Sequence, residues 1–141
     1  MKEVKIYIES TVEEIDDAGL TESSEKTESS AIGKIEGVDG EIRISYSETE
    51  EGVTTNTLVR ASDDEVTVRR DGGVEYEFLF KEGAKTTSVY CVPPYSFDSE
   101  IYTRKIRSSI TEEEGEISLF YDMTIGGAKK RVRMKIKVTK K

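Results

Sequence analysis

The chain has 141 residues, a formal net charge of −8 and 35% charged residues. This length suits a single domain with one hydrophobic core, and we predict that residues 1–141 form one domain. The acidic balance argues against nucleic acid or an anionic membrane as the main partner. No stretch is apolar over the length that a transmembrane helix needs, so no membrane association is expected.

Cys91 is the only cysteine, and the chain contains no histidine. An intramolecular disulfide is therefore impossible, and Cys91 has no histidine that could activate it as a nucleophile. We interpret Cys91 as a structural residue. The first residues, 1–7, carry charges between their apolar positions and lack the apolar core of a signal peptide. These features predict a soluble, cytoplasmic protein.

Alternating apolar and polar residues predict β-strands along nearly the whole chain. The first strand places Val4, Ile6 and Val12 on one face. The segment 21–30 is polar at every position and could be a linker or a poorly covered strand; its place between two strands favours the strand. Further alternating runs cover residues 31–36, 42–48, 53–61, 66–70, 74–80, 86–92, 97–110, 117–125 and 132–138.

Three positions should interrupt this pattern. Gly33 lies inside a strand-like run, which is typical of a bulge or a bend. Pro93 and Pro94 supply no backbone donor and should mark the end of a strand. The apolar phase slips by one residue after Thr103, which predicts a β-bulge near Arg104 and Lys105.

The pattern as a whole predicts an all-β fold, a single closed antiparallel up-and-down β-barrel of about nine or ten strands. Closure removes the exposed edges of a long meander and would pair the first strand with the last. The outward charges of these two strands are complementary, which supports the pairing. The first strand carries Glu3, Glu9 and Glu13, and the last carries Lys129, Lys130, Arg131, Arg133, Lys135, Lys137, Lys140 and Lys141.

Several segments resemble the YwiB-like family, a bacterial domain of unknown function with a calycin-like, lipocalin-type β-barrel. The similar stretches are residues 44–48, the Val-rich run 65–70 with Gly72 and Val74, residues 90–103 and residues 115–123. Where the family tends to have Thr-Pro-Tyr-Gly, this chain has Val92-Pro93-Pro94-Tyr95. The resemblance implies the barrel fold and implies no established activity.

The candidate site begins with Arg70, which lies in phase with the apolar face of a strand that ends at an Asp-Gly-Gly turn. Burial of an unpaired guanidinium would cost roughly several kcal/mol of folding free energy. A carboxylate or an anion must therefore face Arg70. Glu48 ends a strand that runs in the same direction, two strands away. Because neighbouring strands are ~4.8 Å apart, the two backbones should be roughly 10 Å apart at the same mouth of the barrel.

Other side chains should face the same lumen, and they give two interpretations. The candidate ligand-binding residues are Arg70, Glu48, Tyr46 and Tyr90, with Thr103 and Tyr121 deeper. In the first interpretation they form a pocket whose arginine receives a small anionic or amphipathic ligand. In the second they plug a barrel that is filled by side chains and serves as a structural or protein-interaction module.

No recognisable catalytic constellation is present, because the chain lacks histidine and its carboxylates lie mostly in turns and on outward faces. We therefore predict a protein that is not an enzyme and has no cofactor and no metal site. The basic face of the last strand could contact an acidic partner or RNA. Nucleic acid is unlikely there, since that strand shows no aromatic residue for stacking, and a solvated charge ladder is favoured. The oligomeric state is left open.

Overall fold

A computed structural model describes residues 2–141. These residues form ten antiparallel strands, as the alternating pattern predicts. The strands are β1 (Lys2–Ile15), β2 (Thr21–Val38), β3 (Glu41–Glu50), β4 (Val53–Ala61), β5 (Glu65–Asp71), β6 (Tyr76–Lys81), β7 (Lys85–Val92), β8 (Tyr95–Ser108), β9 (Gly115–Ile125) and β10 (Ala128–Lys140). The polar segment 21–30 is therefore part of a strand and not a linker.

The ten strands form one sheet in the order β6-β5-β4-β3-β2-β1-β10-β9-β8-β7. The first and last strands pair over most of their length, from Val4 opposite Lys140 to Ile15 opposite Lys129. Strands β6 and β7 are the two ends of the sheet. They meet where Glu75 and Cys91 exchange two backbone hydrogen bonds of 2.8 Å, and we call this junction the seam. The sheet is thus an almost closed up-and-down barrel.

The charges of β1 and β10 complement each other only in part. Arg133 Nη1 lies 2.8 Å from Glu13 Oε1, and Lys141 pairs with Glu3. Glu9, however, pairs with Lys26 of β2 at 3.1 Å. The predicted pairing of β1 with β10 is present, and β2 shares the carboxylates of β1 with β10.

Strands β2 and β3 separate above Gly33, and we call the resulting gap in the barrel wall the fork. Strand β2 pairs with β1 from Thr21 onward, but it pairs with β3 only from Gly33 to Val38. Residues 21–32 therefore extend beyond the last contact with β3. Gly33 is buried at the base of this fork, where a Cβ atom would overlap Ser45 O. The predicted bulge at Gly33 is absent, since the β1–β2 register runs through it unbroken.

The other predicted irregularities are present. The β8–β9 register shifts between Thr103 and Lys105, and Pro93 and Pro94 form the turn between β7 and β8. The hairpin after Arg70 differs from its expected form. Arg70 pairs with Tyr76, so five residues, 71–75, lie between the last paired residues of the hairpin, and four of them, 72–75, connect β5 to β6. The connection is longer than an Asp-Gly-Gly turn because Glu75 pairs across the seam with β7 instead of with β5.

The barrel interior differs between its two ends. The lower end, defined by the connections 39–40, 62–64, 82–84 and 109–114, contains a continuous buried core. Its largest fully buried side chains include Phe80, Ile6 and Ile101. Toward the upper end the inward side chains are only half-buried: Ile8, Val12, Tyr46, Tyr76, Tyr90 and Met123.

Candidate functional site at the upper mouth

Cross-strand register brings the polar inward side chains of five strands into one line. Tyr46 is opposite Thr57, Thr57 is opposite Arg70, and Arg70 is opposite Tyr76. The line continues across the seam, where the rings of Tyr76 and Tyr90 stack with their centroids 5.5 Å apart. We call these five residues, Tyr46, Thr57, Arg70, Tyr76 and Tyr90, the mouth row.

Arg70 is the only permanently charged member of the mouth row. Its Nη2 atom lies 3.9 Å from Glu48 Oε1, so the contact that the strand directions predicted is present. The side chains of Arg70 and Glu48 are 31% and 33% exposed, and a long, partly hydrated ion pair contributes about 0–1 kcal/mol. Arg70 Nε is buried and has no hydrogen-bond partner. The protein therefore satisfies this guanidinium incompletely.

The surroundings of the mouth row keep Arg70 positively charged and Tyr46 and Tyr76 neutral. Burial alone would lower the pKa of Arg70, but Tyr76, Tyr46 and Glu48 outweigh burial and raise it. Burial raises the pKa of Tyr46 to about 12. Burial also raises the pKa of Tyr76, although Arg70 opposes that change. At neutral pH Arg70 is thus a cation beside the neutral hydroxyl groups of Tyr46 and Tyr76, and all three side chains can donate hydrogen bonds.

Below the mouth row, aromatic rings fill the lumen. The rings of Phe78 and Tyr76 stack with their centroids 4.0 Å apart, and the ring centroids of Phe80 and Tyr121 are 4.6 Å apart. Tyr121 is 4% exposed, and its pKa is raised by burial and by the nearby Tyr76. Thr103 is opposite Tyr121 in the β8–β9 register and is fully buried. These rings occupy the depth of the barrel that an extended ligand would otherwise enter.

The structure thus divides the six predicted site residues into two groups. Arg70, Glu48, Tyr46 and Tyr90 lie together at the upper mouth. Thr103 and Tyr121 lie next to each other in the packed interior, and Thr103 Oγ1 has no hydrogen-bond partner there. Four of the six residues therefore lie at the upper mouth, and the other two lie in the filled lumen below it.

A cleft lies on the wall of the barrel beside the mouth. It has a volume of about 540 Å³ and occupies the fork between β2 and β3. Tyr46 and Thr57 of the mouth row line it, together with Gly33 and Leu58, whereas Arg70 and Tyr90 do not. Thr57 Oγ1 is buried there without a hydrogen-bond partner. The fork therefore gives access to one end of the mouth row from the side.

Two further properties concern the described part of the chain. Across residues 2–141, no three Cys, Asp or Glu side chains come close enough together to hold a metal ion. No helix in that range has the length and the apolar character required to cross a membrane.

Comparison with known proteins gives the family. The family described as "Domain of unknown function (DUF1934)" matches residues 6–136. The chain belongs to this family. The chain is 34% identical over 85 residues to the uncharacterized β-barrel protein YwiB of Bacillus subtilis (strain 168). The aligned segment covers 60% of this chain and 60% of that relative.

The fold of this DUF1934 chain also matches a solved structure. The crystal structure of the YwiB protein from Bacillus subtilis superimposes with a TM-score of 0.77 and 26% sequence identity. The match covers 100% of this chain and 94% of that one. The resemblance seen in the sequence is therefore confirmed at the level of family and barrel fold. All six candidate site residues lie inside the matched region 6–136.

Sequence reasoning did not include Tyr76 among the site residues. Its ring is opposite Arg70 across the hairpin, with the guanidinium carbon 6.0 Å from the ring centroid. Tyr76 lies in the alternating run 74–80, but a hairpin closed by Asp-Gly-Gly places it further along β6 from Arg70. The pairing of Arg70 with Tyr76 depends on the length of the loop between them, which the pairing of Glu75 with Cys91 determines.

Proposed function

We propose that the DUF1934 barrel binds a small anionic or amphipathic molecule at its upper mouth without catalysing a reaction. The observation that carries this proposal is the incomplete satisfaction of Arg70. Its side chain is 31% exposed, its buried Nε atom has no partner, and the nearest oxygen of its carboxylate neighbour Glu48 is 3.9 Å from Nη2. A ligand carboxylate can approach a guanidinium with two parallel hydrogen bonds, which are stronger than this long pair.

The surroundings of Arg70 support an amphipathic ligand. Half-buried apolar side chains, among them Ile8, Val12 and Met123, line the lumen toward the same end. An apolar tail that covers them would gain roughly 25 cal/mol for each Å² removed from water. Because Phe78 and Phe80 fill the barrel below, the tail has to be short or to leave through the fork between β2 and β3.

Glu48 decides how strongly an anion binds at Arg70. Its carboxylate occupies the position that a ligand carboxylate would take, and it repels a second negative charge. Displacement of Glu48 from Arg70 by the ligand costs little free energy, because an exposed ion pair of this length contributes about 0–1 kcal/mol. In this proposal Glu48 keeps Arg70 paired in the empty barrel and yields to the ligand.

A structural or protein-interaction module is the second candidate function. The observation in its favour is the stack of rings from Tyr90 through Phe78 to Phe80, which fills the lumen with side chains. In that case Arg70 and Glu48 only close the upper end. For either function we propose a cytoplasmic setting, which agrees with the single, unpaired Cys91.

Arg70→Ala should abolish thermal stabilisation by decanoate, while Arg60→Ala should leave it intact. Arg60 is the matched control, because its side chain is 37% exposed on the outer face of β4 and it lines neither the mouth nor the fork. A ligand at about 100 times its Kd stabilises the native state by about 2.7 kcal/mol, which corresponds to roughly 9 °C in Tm for a domain of this size. Decanol, which lacks the charge, should stabilise the wild type much less than decanoate. Differential scanning calorimetry measures these shifts.

Glu48→Gln separates the two candidate functions. Ligand binding predicts tighter decanoate binding, because the variant removes the competing carboxylate from Arg70. The filled-barrel function predicts no shift with decanoate in any variant and a lower Tm for Arg70→Ala alone. That second pattern would disprove binding at the mouth.

A further inference from the structure

The outer surface of β8, β9 and β10 carries basic and aromatic side chains in register. Arg133 is opposite Phe120, and Phe120 is opposite Lys105. In the next row Lys135 is opposite Ser118, and Ser118 is opposite Arg107. A groove of about 320 Å³ runs between these rows. We call this surface the outer basic patch, and it comprises Tyr102, Arg104, Lys105, Arg107, Phe120, Arg131, Arg133 and Lys135.

Arginines lie against the central aromatic ring of the patch. The guanidinium carbon of Arg133 is 4.4 Å from the ring centroid of Phe120, and that of Arg104 is 5.8 Å from it. Arg104 also lies 5.9 Å from the ring of Tyr102, which is 40% exposed. Guanidinium planes supported in this way, and exposed aromatic rings, are the surfaces on which unpaired bases stack.

The carboxylates near the patch leave it positively charged. Asp122 is shared by Arg104 and Arg131, at 2.6 and 3.2 Å. Glu13 pairs with Arg133 and Glu116 with Lys135, while Glu9, which also lines the groove, pairs with Lys26 of β2. Within residues 2–141, Lys105 and Arg107 have no carboxylate at ion-pair distance. Both are exposed on β8 beyond the bulge after Thr103. They are free to contact phosphate groups.

We propose that the outer basic patch binds single-stranded nucleic acid, with bases stacked on the Arg133 guanidinium that covers Phe120 and on the ring of Tyr102, and with phosphates at Lys105 and Arg107. The sequence argued against this, because β10 has no aromatic residue and the whole chain is acidic. The barrel supplies the missing aromatic residues from β8 and β9 and concentrates basic residues on one face. An acidic protein partner would need only the charges, whereas the paired rings and guanidinium planes fit unpaired bases. A duplex would not expose the faces of its bases to this surface.

Fluorescence anisotropy with a labelled oligouridylate of about twelve nucleotides, at about 50 mM salt, tests this proposal. Wild type should bind, and Lys105→Gln/Arg107→Gln should weaken binding about tenfold. The same variant should reduce the slope of log affinity against log salt by about 1.4, since each phosphate contact contributes about 0.7. The matched control is Lys34→Gln/Arg69→Gln, which removes two exposed charges from β2 and β5 and should change affinity less than about twofold.

Phe120→Leu tests the stacking itself. Leucine keeps an apolar side chain under Arg133. The variant should therefore retain the wild-type circular dichroism spectrum, and its Tm should stay within about 3 °C of the wild-type value. Its affinity for oligouridylate should fall at least about fivefold, with an unchanged salt slope. The proposal is overturned by absent binding in the wild type, by equal losses in the control variant, or by full affinity in Phe120→Leu. It is also overturned if polyglutamate competes as well as oligouridylate does.

Discussion

Replacement of Gly33 by alanine should lower the free energy of unfolding by about 3 kcal/mol, near the upper end for overpacking. Gly33 is buried at the base of the fork between β2 and β3. A Cβ atom there would overlap Ser45 O and Ile6 Cδ1, and it would lie 3.0 Å from Tyr46 Cβ. Because Ser45 O belongs to the backbone of β3, a whole strand has to move. Urea denaturation followed by far-UV circular dichroism measures the loss.

Gly37→Ala is the matched control within the same strand. A Cβ atom at Gly37 would meet only the side chain of Glu112, which can rotate away. The expected loss is therefore below about 1 kcal/mol. Equal losses at Gly33 and Gly37 would mean that β2 does not approach β3 closely at the fork. In that case the lateral access to Tyr46 and Thr57 would lose its structural basis.

Phe80→Ala should lower the free energy of unfolding by about 3–5 kcal/mol, which is a large part of the stability of a domain of this size. Phe80 is 1% exposed, and its ring lies 4.6 Å from Tyr121 and 6.3 Å from Phe78. Removal of the ring leaves a cavity in the lower lumen that the rigid barrel wall cannot close. Urea titrations at equal protein concentration measure the difference from wild type.

Leu79→Ala is the control for Phe80→Ala. Leu79 is the next residue on β6, faces outward and is 36% exposed, so its replacement should cost less than about 1 kcal/mol. A similarly small effect at Phe80 would contradict the filled lumen. A hollow lower barrel would then extend the proposed ligand site from the mouth row down to Thr103.

Local patterns predicted most of the fold. Alternation of apolar and polar residues gives all ten strands, and the phase slip after Thr103 gives the bulge at the correct residue. Both features depend only on which face of a strand is buried. The fork and the seam were not predicted, because they depend on where distant strands stop pairing. Nothing in the sequence near Gly33 or Glu75 specifies where this pairing ends.

The candidate site was predicted to a similar extent. The contact between Arg70 and Glu48 follows from strand direction and strand spacing alone. The depth of the pocket did not follow, because the packing of Phe78, Phe80 and Tyr121 across the lumen depends on the curvature of the barrel. The outer basic patch was missed for a related reason. Phe120 is adjacent to Arg133 only through the β9–β10 register, and composition does not reveal that register.

The most direct test of the proposed ligand site is a titration of ¹⁵N-labelled protein with decanoate, observed at the arginine Nε–H resonances. The resonance of Arg70, assigned by its loss in Arg70→Lys, should shift progressively and saturate, because its Nε atom gains a partner. The resonance of Arg60, which lies on the outer face of β4 away from the mouth and the fork, should remain unchanged. Saturable shifts at Arg60 or Arg133 with none at Arg70 would contradict the proposal that the upper mouth binds anions.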